Sequence, residues 1–359
     1  MAAFRSKATI RLLNSFPWMT APCIIAAPMR VMSGPELALA VSQAGGLGFI
    51  GPGVKPDDTI ADLSTARKLL DATPNSAFPA STNSKSILPV GVGFQLWNGD
   101  LTSATRAVRE YRPCAAWLFA PRHGQAEVDE WTKSLRDASP DTQVWLQIGT
   151  LRESLEAANS PLRPDAIVVQ GTEAGGHGMA TGGMGLMTLF PEIADAVRDS
   201  GIPLFAAGGI ADGRGVAAAL TLGAAGVALG TRFLASNEAR ISRGYQQEIV
   251  RATDGGTSTT RTTLYNQLRG TNGWPEQYSP RGVVNRSWHD HHAGVPFDEL
   301  KRLHDDAMKA GDGGWGPEGR LATYAGAAVG LIHSVEAAGV IVKRLQKESN
   351  DIFKSFADS

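Results

Sequence analysis

Ile202-Pro-Leu-Phe-Ala-Ala-Gly-Gly-Ile-Ala-Asp-Gly-Arg-Gly215 reads as a buried strand that stops at Gly208-Gly209 and gives way to a helix near Gly213. The next unit repeats the plan: Gly226-Val-Ala-Leu-Gly-Thr-Arg-Phe233 is an apolar strand running into Gly230-Thr231 before another helix. Glycines at a strand end let backbone N–H groups approach an anion closely, and a following helix N-terminus favours negative charge. Gly208, Gly209, Gly230 and Thr231, the last with a hydroxyl donor, are therefore candidate phosphate ligands. A lone Gly-Gly would signal only a tight turn; two such ends in adjacent units carry the phosphate reading.

Working outward, short apolar runs alternate with amphipathic stretches, the pattern of repeated strand–helix units. Strands are expected at 24–27, 47–50, 89–93, 115–119, 143–148, 166–170, 204–207 and 226–229. Helices are expected at 35–43, 59–70, 103–111, 126–137, 151–158, 188–199, 213–222 and 236–252. Eight alternations favour a closed TIM-type (β/α)8 barrel over an open doubly wound sheet, and make the stretches above strands seven and eight. The C-terminal loops of those two strands commonly bind phosphate in such barrels. Gly45-Gly46-Leu-Gly48 precedes a strand instead of following one and reads as a helix C-cap.

The expected organisation is a barrel over 1–253, a lid-like insertion over 254–319 and C-terminal helices over 320–359, at 321–328 and 334–346. The insertion is rich in Gly, Thr, Trp and His, and a long irregular stretch in a compact protein is usually functional. Residues 72–86 read as a surface loop. The run Trp288-His-Asp-His-His292 lacks carboxylates or cysteines at metal-site spacing and reads as lid surface, so no metal is expected.

The 34 basic and 35 acidic residues nearly cancel, which gives no reason to expect nucleic acid or a membrane as partner. Two cysteines, Cys23 and Cys114, exclude a disulfide framework and suit a reducing compartment. A cytoplasmic location is expected. The basic lead with Arg5, Lys7 and Arg11 is also compatible with a mitochondrial transit peptide. A homodimer is compatible with the sequence, which does not fix the oligomeric state.

Strand six ends in Val168-Val-Gln-Gly-Thr-Glu-Ala-Gly-Gly-His-Gly178, which crowds polar groups onto a barrel strand's C-terminal end, where active sites sit. Gln170 can bond a heterocycle edge through both ends of its amide. Gly175 and Gly176 let the backbone pass close to a flat ligand, and His177 can exchange a proton near neutral pH. Glu173 reads as orienting His177 or capping the next element, with the cap preferred. Pro28 and Met29 after strand one, Gly93 at strand three and Gln147 at strand five also lie where a ligand could be touched.

With these residues in place the chain resembles the nitronate monooxygenases, formerly called 2-nitropropane dioxygenases. The resemblance runs from Ala27-Pro-Met29 and Ala40-Val-Ser-Gln-Ala-Gly-Gly-Leu-Gly48 through Gln147-Ile-Gly-Thr150 and Gln170-Gly-Thr-Glu-Ala-Gly-Gly-His177. It continues through Ala206-Ala-Gly-Gly-Ile-Ala-Asp212 and Leu229-Gly-Thr-Arg-Phe233 to Tyr324-Ala-Gly-Ala-Ala-Val-Gly-Leu331. It implies FMN, with phosphate on Gly209 and the turn Ala228, Leu229, Gly230, Thr231, and the flavin ring flanked by Gln170, Gly175 and Ala27, Pro28, Met29. It also implies His177 as catalytic base, a small nitro compound and O2 as reactants, and a carbonyl compound and nitrite as products. Gly93 departs from an Asn common in relatives, leaving that contact to backbone or Gln95, and Ala327 stands where Gln is frequent. Two other readings remain open: a flavin-type enoyl-acyl-carrier-protein reductase using NAD(P)H, and a flavin-binding barrel without turnover.

Overall fold

The computed structural model describes residues 7–72, 78 and 87–357. Most of the expected loop at 72–86, Arg5 and the last two residues lie outside them. Helix α1 (Lys7–Ser15) leads to β1 (Cys23–Ala26), α2 (Pro35–Gln43), β2 (Leu47–Ile50), α3 (Pro56–Ala72), β3 (Leu88–Gln95) and α4 (Leu101–Tyr111). Then come β4 (Pro113–Phe119), α5 (Gln125–Ala138), β5 (Gln143–Ile148), α6 (Leu151–Asn159), β6 (Ala166–Gln170) and β7 (Gly176–Met179). The barrel is completed by α7 (Leu186–Ala196), β8 (Leu204–Ala207), α8 (Gly213–Thr221) and β9 (Gly226–Leu229). Eight parallel strands close in the order β1-β2-β3-β4-β5-β6-β8-β9, with β7 outside the ring. The closing seam pairs Cys23 with Gly226 and Ala26 with Leu229. The barrel and its eight strands are those expected.

Large and small residues share the interior. Trp145 stacks on Phe205 at 4.6 Å, and Phe49 meets Trp117 edge-on at 5.1 Å. Gly91 makes room for them: a Cβ there would stand 2.2 Å from the Phe49 ring. Gly226 plays the same part against Cys23 and Phe205. Leu12 and Phe16 plug the bottom of the barrel, where Cys23 and Cys114 are also buried. Trp117 belongs to this core and also floors the cavity above it. The filled interior thus supports the site from below.

Differences from expectation cluster after β9. In place of one helix over 236–252 the chain makes α9 (Thr231–Leu234), a loop, and α10 (Arg243–Arg251). The loop is held open because Arg240 reaches back to Asp62 at 2.7 Å and Glu36 at 3.3 Å. Residues 254–319 are not structureless: they form α11 (Gly255–Ser258), β10 (Thr259–Arg261), α12 (Leu264–Arg269), β11 (Tyr278–Val283), α13 (Arg286–His292) and α14 (Phe297–Lys309). β10 and β11 join β7 in an antiparallel sheet, with Pro280 opposite His177. The expected helix at 321–328 is an extended connection ending in a 3-10 turn, Ala327–Leu331. Its backbone groups are committed elsewhere. Thr323 O accepts from Val283 N at 2.8 Å, and Ala327 N donates to Glu173 O at 2.8 Å. The last helix, α15 (Ala338–Ala357), packs between α8 and α2 and so fills the eighth place in the outer ring. Its Gln346 amide donates to the Thr20 carbonyl at 3.0 Å and the Pro22 carbonyl at 3.2 Å, fastening the lead into β1.

Gly91→Ala should destabilise the fold by about 1–3 kcal/mol through overpacking against Phe49. Urea unfolding measures this, and adding Phe49→Leu should recover part of the loss. An unchanged midpoint for Gly91→Ala would show that the interior has slack.

Candidate active site

At the C-terminal mouth of the barrel a cavity encloses about 1320 Å³ of free space, its open mouth included. Every expected site residue but one lines it. Ala27, Pro28 and Met29 come from the β1 loop, Gln147 from β5, and Gln170, Gly175, Gly176 and His177 from β6 and the segment after it. Gly208 and Gly209 follow β8, and Ala228, Leu229, Gly230 and Thr231 end β9. Gly93 is the exception. It does not reach the wall; its missing Cβ admits the Pro28 ring, which a Cβ would meet at 2.4 Å. Gln95, two residues on and on the same face of a longer β3, lines the cavity in its place.

One rim is a backbone cradle. Gly208 and Gly209 hold φ values of 99° and 73°, which favour glycine. Among the described residues no acceptor takes the N–H of Gly209, Gly230 or Thr231. Thr231 Oγ1 accepts from Gly326 N at 3.0 Å, so its own hydrogen is free to donate toward the cavity. The start of α8 does not contribute as expected. Asp212 Oδ1 accepts from Arg214 N at 3.0 Å and Gly215 N at 3.2 Å, and Glu348 takes Gly213 N at 2.9 Å. Two carboxylates already satisfy that helix end, so an anion here must rest on the turns alone.

On the other side stands His177. Its ring stacks on Trp274 at 3.6 Å with 8° between planes, and Tyr324 lies edge-on at 5.9 Å. Asn266 Nδ2 lies 3.0 Å from His177 Nε2. Burial pushes the imidazole down to about 3; the Asn266 bond opposes this, and the guanidiniums of Arg261, Arg269 and Arg30 add to it. The ring is therefore neutral at physiological pH. Gln170 Nε2 donates to the His177 carbonyl at 3.3 Å, and Gln147 Oε1 accepts from Trp117 Nε1 at 3.0 Å, leaving the Gln147 amide hydrogens for a ligand. Glu173 caps α7, accepting from Leu186 N at 2.9 Å.

The segment carrying His177 is clamped by arginines from the lid. Arg261 donates to the carbonyls of Gly176 at 3.2 Å, Thr172 at 3.2 Å and Ala174 at 3.0 Å, and Arg281 Nε donates to Thr172 O at 3.1 Å. Arg30 and Arg269 also line the cavity, and no carboxylate among the described residues pairs with either. Sequence reasoning missed Asn266, Arg261, Arg269 and Tyr324 as site residues. The signal at hand was Tyr324 at the head of a quoted motif and Arg30 directly after Met29. Trp288 packs on His292 at 3.9 Å in α13, and no metal-ligating group of three was found among the described residues.

A closed parallel barrel whose C-terminal mouth brings an imidazole and glycine-rich backbone turns to one cavity is a (β/α)8 architecture with its polar groups where such barrels carry their active sites. The chain belongs to the nitronate monooxygenase family, whose model matches residues 15–78 and 126–348, and it is an oxidoreductase. It is 60% identical over 356 residues to nitronate monooxygenase npaC of Metarhizium robertsii, covering 99% of this chain and 98% of that one. It is 35% identical to a nitronate monooxygenase of Neurospora crassa over 97% of this chain and 95% of the relative. Among solved structures, FabK from Thermotoga maritima superposes with a TM-score of 0.73 at 25% identity, over 97% and 98% of the two chains. Nitroalkane oxidase from Streptomyces ansochromogenes shares the fold, with a TM-score of 0.72 at 23% identity over 96% and 99%. No helix among the described residues is long and apolar enough to cross a membrane.

The neutral His177 has a consequence for stability. Between pH 6.5 and about 3 the unfolded chain carries a proton on His177 that the folded chain does not. Stability therefore falls as pH drops through that window, by at most about 1.4 kcal/mol per pH unit. In denaturant titrations at pH 7 and pH 5, wild type should lose about 1–2 kcal/mol more than His177→Asn. Equal acid sensitivity in the two proteins would show that the ring is not held neutral.

Proposed function

We propose that this chain uses FMN and O2 to oxidise alkyl nitronates to carbonyl compounds and nitrite, with His177 as general base when the substrate arrives as the neutral nitroalkane. The observation that carries the reading is a neutral imidazole, at the cavity wall, in the field of three guanidiniums. Such a site favours an anion and can accept a proton while one forms.

The residues present fit the cofactor. The cradle at Gly209, Gly230 and Thr231 offers N–H donors to a phosphate, and a Cβ at Gly230 would meet nothing nearer than Met29 Sδ at 3.6 Å. Gly176 is likewise open, with no atom within 4 Å of such a Cβ, so a flat ring can approach the backbone there. Gln147 and Gln170 turn amides toward the same space, while Ala27, Pro28 and Met29 wall it. When bound, FMN supplies the electron acceptor that no side chain can provide.

His177 takes the α-proton of a nitroalkane at Nδ1, since Asn266 occupies Nε2, and the C–H electron pair stays on the substrate as nitronate. Arg30 and Arg269, which lack carboxylate partners among the described residues, draw the nitronate in, and Arg261 adds its charge from behind the loop. A nitronate forming beside the ring provides the counter-charge that a buried imidazolium otherwise lacks. Trp274, stacked on the ring, keeps bulk water off one of its faces.

His177→Asn should retain FMN but lose about 10²–10⁴-fold in kcat/KM on neutral nitroalkanes, with a much smaller loss on preformed nitronates. Nitrite release measures both. An equal loss on the two would sink the base role. Rapid anaerobic bleaching of the flavin by NADPH, with no response to nitronate, would favour an enoyl reductase instead.

A further inference from the structure

Trp274 follows α12 in the lid and lines the same cavity as His177. The two rings stand 3.6 Å apart with 8° between their planes. Aromatic atoms in contact sit about 3.5 Å apart, so the rings lie almost directly one above the other. Two neutral rings prefer to slide sideways or turn edge-on, because both π faces are negative. A cation over an indole prefers the position found here. We propose that Trp274 is a positioning residue for the base: its indole face stabilises the charge that His177 acquires with the substrate proton. This rests on the reading of His177 as the base.

The stack is held from behind. Trp97, in the turn after β3, packs on Trp274 at 4.9 Å, and Phe119 and Tyr278 stand at 6.2 Å and 6.4 Å. Arg122 ties that turn to the lid, its Nε donating to Trp97 O at 3.1 Å and its Nη2 to Gly273 O at 3.2 Å. Gly273 has a φ of 92°, and a Cβ there would meet the Trp97 ring at 3.3 Å, so glycine lets the lid seat against the barrel at this point. The indole has little freedom to slide off the imidazole.

The charge has few other supports. When the α C–H bond breaks, its electron pair stays on the substrate and the proton passes to Nδ1, later leaving to water. Arg261, Arg269 and Arg30 all oppose the cation, Asn266 at Nε2 favours it, and the Tyr324 ring stands edge-on at 5.9 Å. No carboxylate among the described residues bonds the ring. The nitronate becomes a negative partner only as the proton leaves it, whereas the indole face is in place beforehand. Positive charge spreads over the whole imidazolium, and the indole covers that ring and not one nitrogen of it.

The test uses holoenzymes of wild type, Trp274→Phe, Trp274→Leu and His177→Asn, with kcat/KM measured on a nitroalkane and on its preformed nitronate. Leucine still keeps water from the imidazole but has no π face. The nitroalkane-to-nitronate ratio should fall about threefold in Trp274→Phe and about tenfold or more in Trp274→Leu. Fluorinated tryptophan draws charge from the π face with little change of shape, so it should lower the ratio further with each added fluorine. The same labelling in Trp274→Phe should leave the ratio unchanged, although the remaining tryptophans of the eight carry the label. A ratio that fluorination leaves untouched, or steps that persist in Trp274→Phe, would overturn the proposal. A ratio unchanged by His177→Asn would remove the base reading and the indole's part with it. A ratio that collapses in His177→Asn but holds in both Trp274 variants would end the indole's part alone.

Discussion

Four parallel register pairs, from Cys23–Gly226 to Ala26–Leu229, join the first barrel strand to the last, and the barrel mouth is organised by that seam. The pairing runs one bond further, Ala27 N donating to Leu229 O at 3.0 Å. Ala27, Pro28 and Met29 are thereby set beside the Gly230-Thr231 turn, although some two hundred residues of chain lie between them (about eight strand–helix units). Gln346 of the last helix then grips Thr20 and Pro22 just ahead of β1. Opening this seam would separate the two walls of the cavity, whatever the state of the other strands.

A second dependence runs through the lid. β7 is not part of the barrel; it exists because β11 pairs with it. The guanidinium of Arg261 gathers three carbonyls of the turn leading into His177, and Trp274 and Asn266 from the same insertion fix the ring from its face and its edge. Barrel and insertion therefore divide the work. The barrel presents rigid backbone turns, and the insertion determines how one side chain stands. Buried donors and acceptors held in a chain of this kind tend to act as a unit.

Much of this was legible in the sequence because barrel strands are short apolar runs and because glycines mark their ends. Gly208-Gly209 and Gly230-Thr231 could be placed at the mouth without knowing any contact. Gly93 misled because a glycine at a strand end can serve packing as well as ligand access; here it admits Pro28. Asn266 and Arg261 were illegible, since their importance comes from a pairing with residues 89 and 85 positions away, carried by strands as short as Thr259–Arg261. The extended connection before Ala327 resembled a helix by composition, yet its carbonyls and N–H groups serve the lid and the Glu173 loop. Similarly, the eighth outer helix was sought directly after β9, where Arg240 is drawn away by Asp62 and Glu36, while α15 arrives from the far end of the chain to take that place.

The two thiols at the bottom of the barrel bear on how the molecule can be followed in solution. Cys23 and Cys114 are shut in by Phe16, Phe49 and Phe205, and burial raises the Cys114 thiol well above its ordinary range. Neither can meet an alkylating or oxidising reagent while the strands remain closed. Labelling of either sulfur thus clocks the breathing of the barrel itself, a built-in reporter that needs no engineered probe.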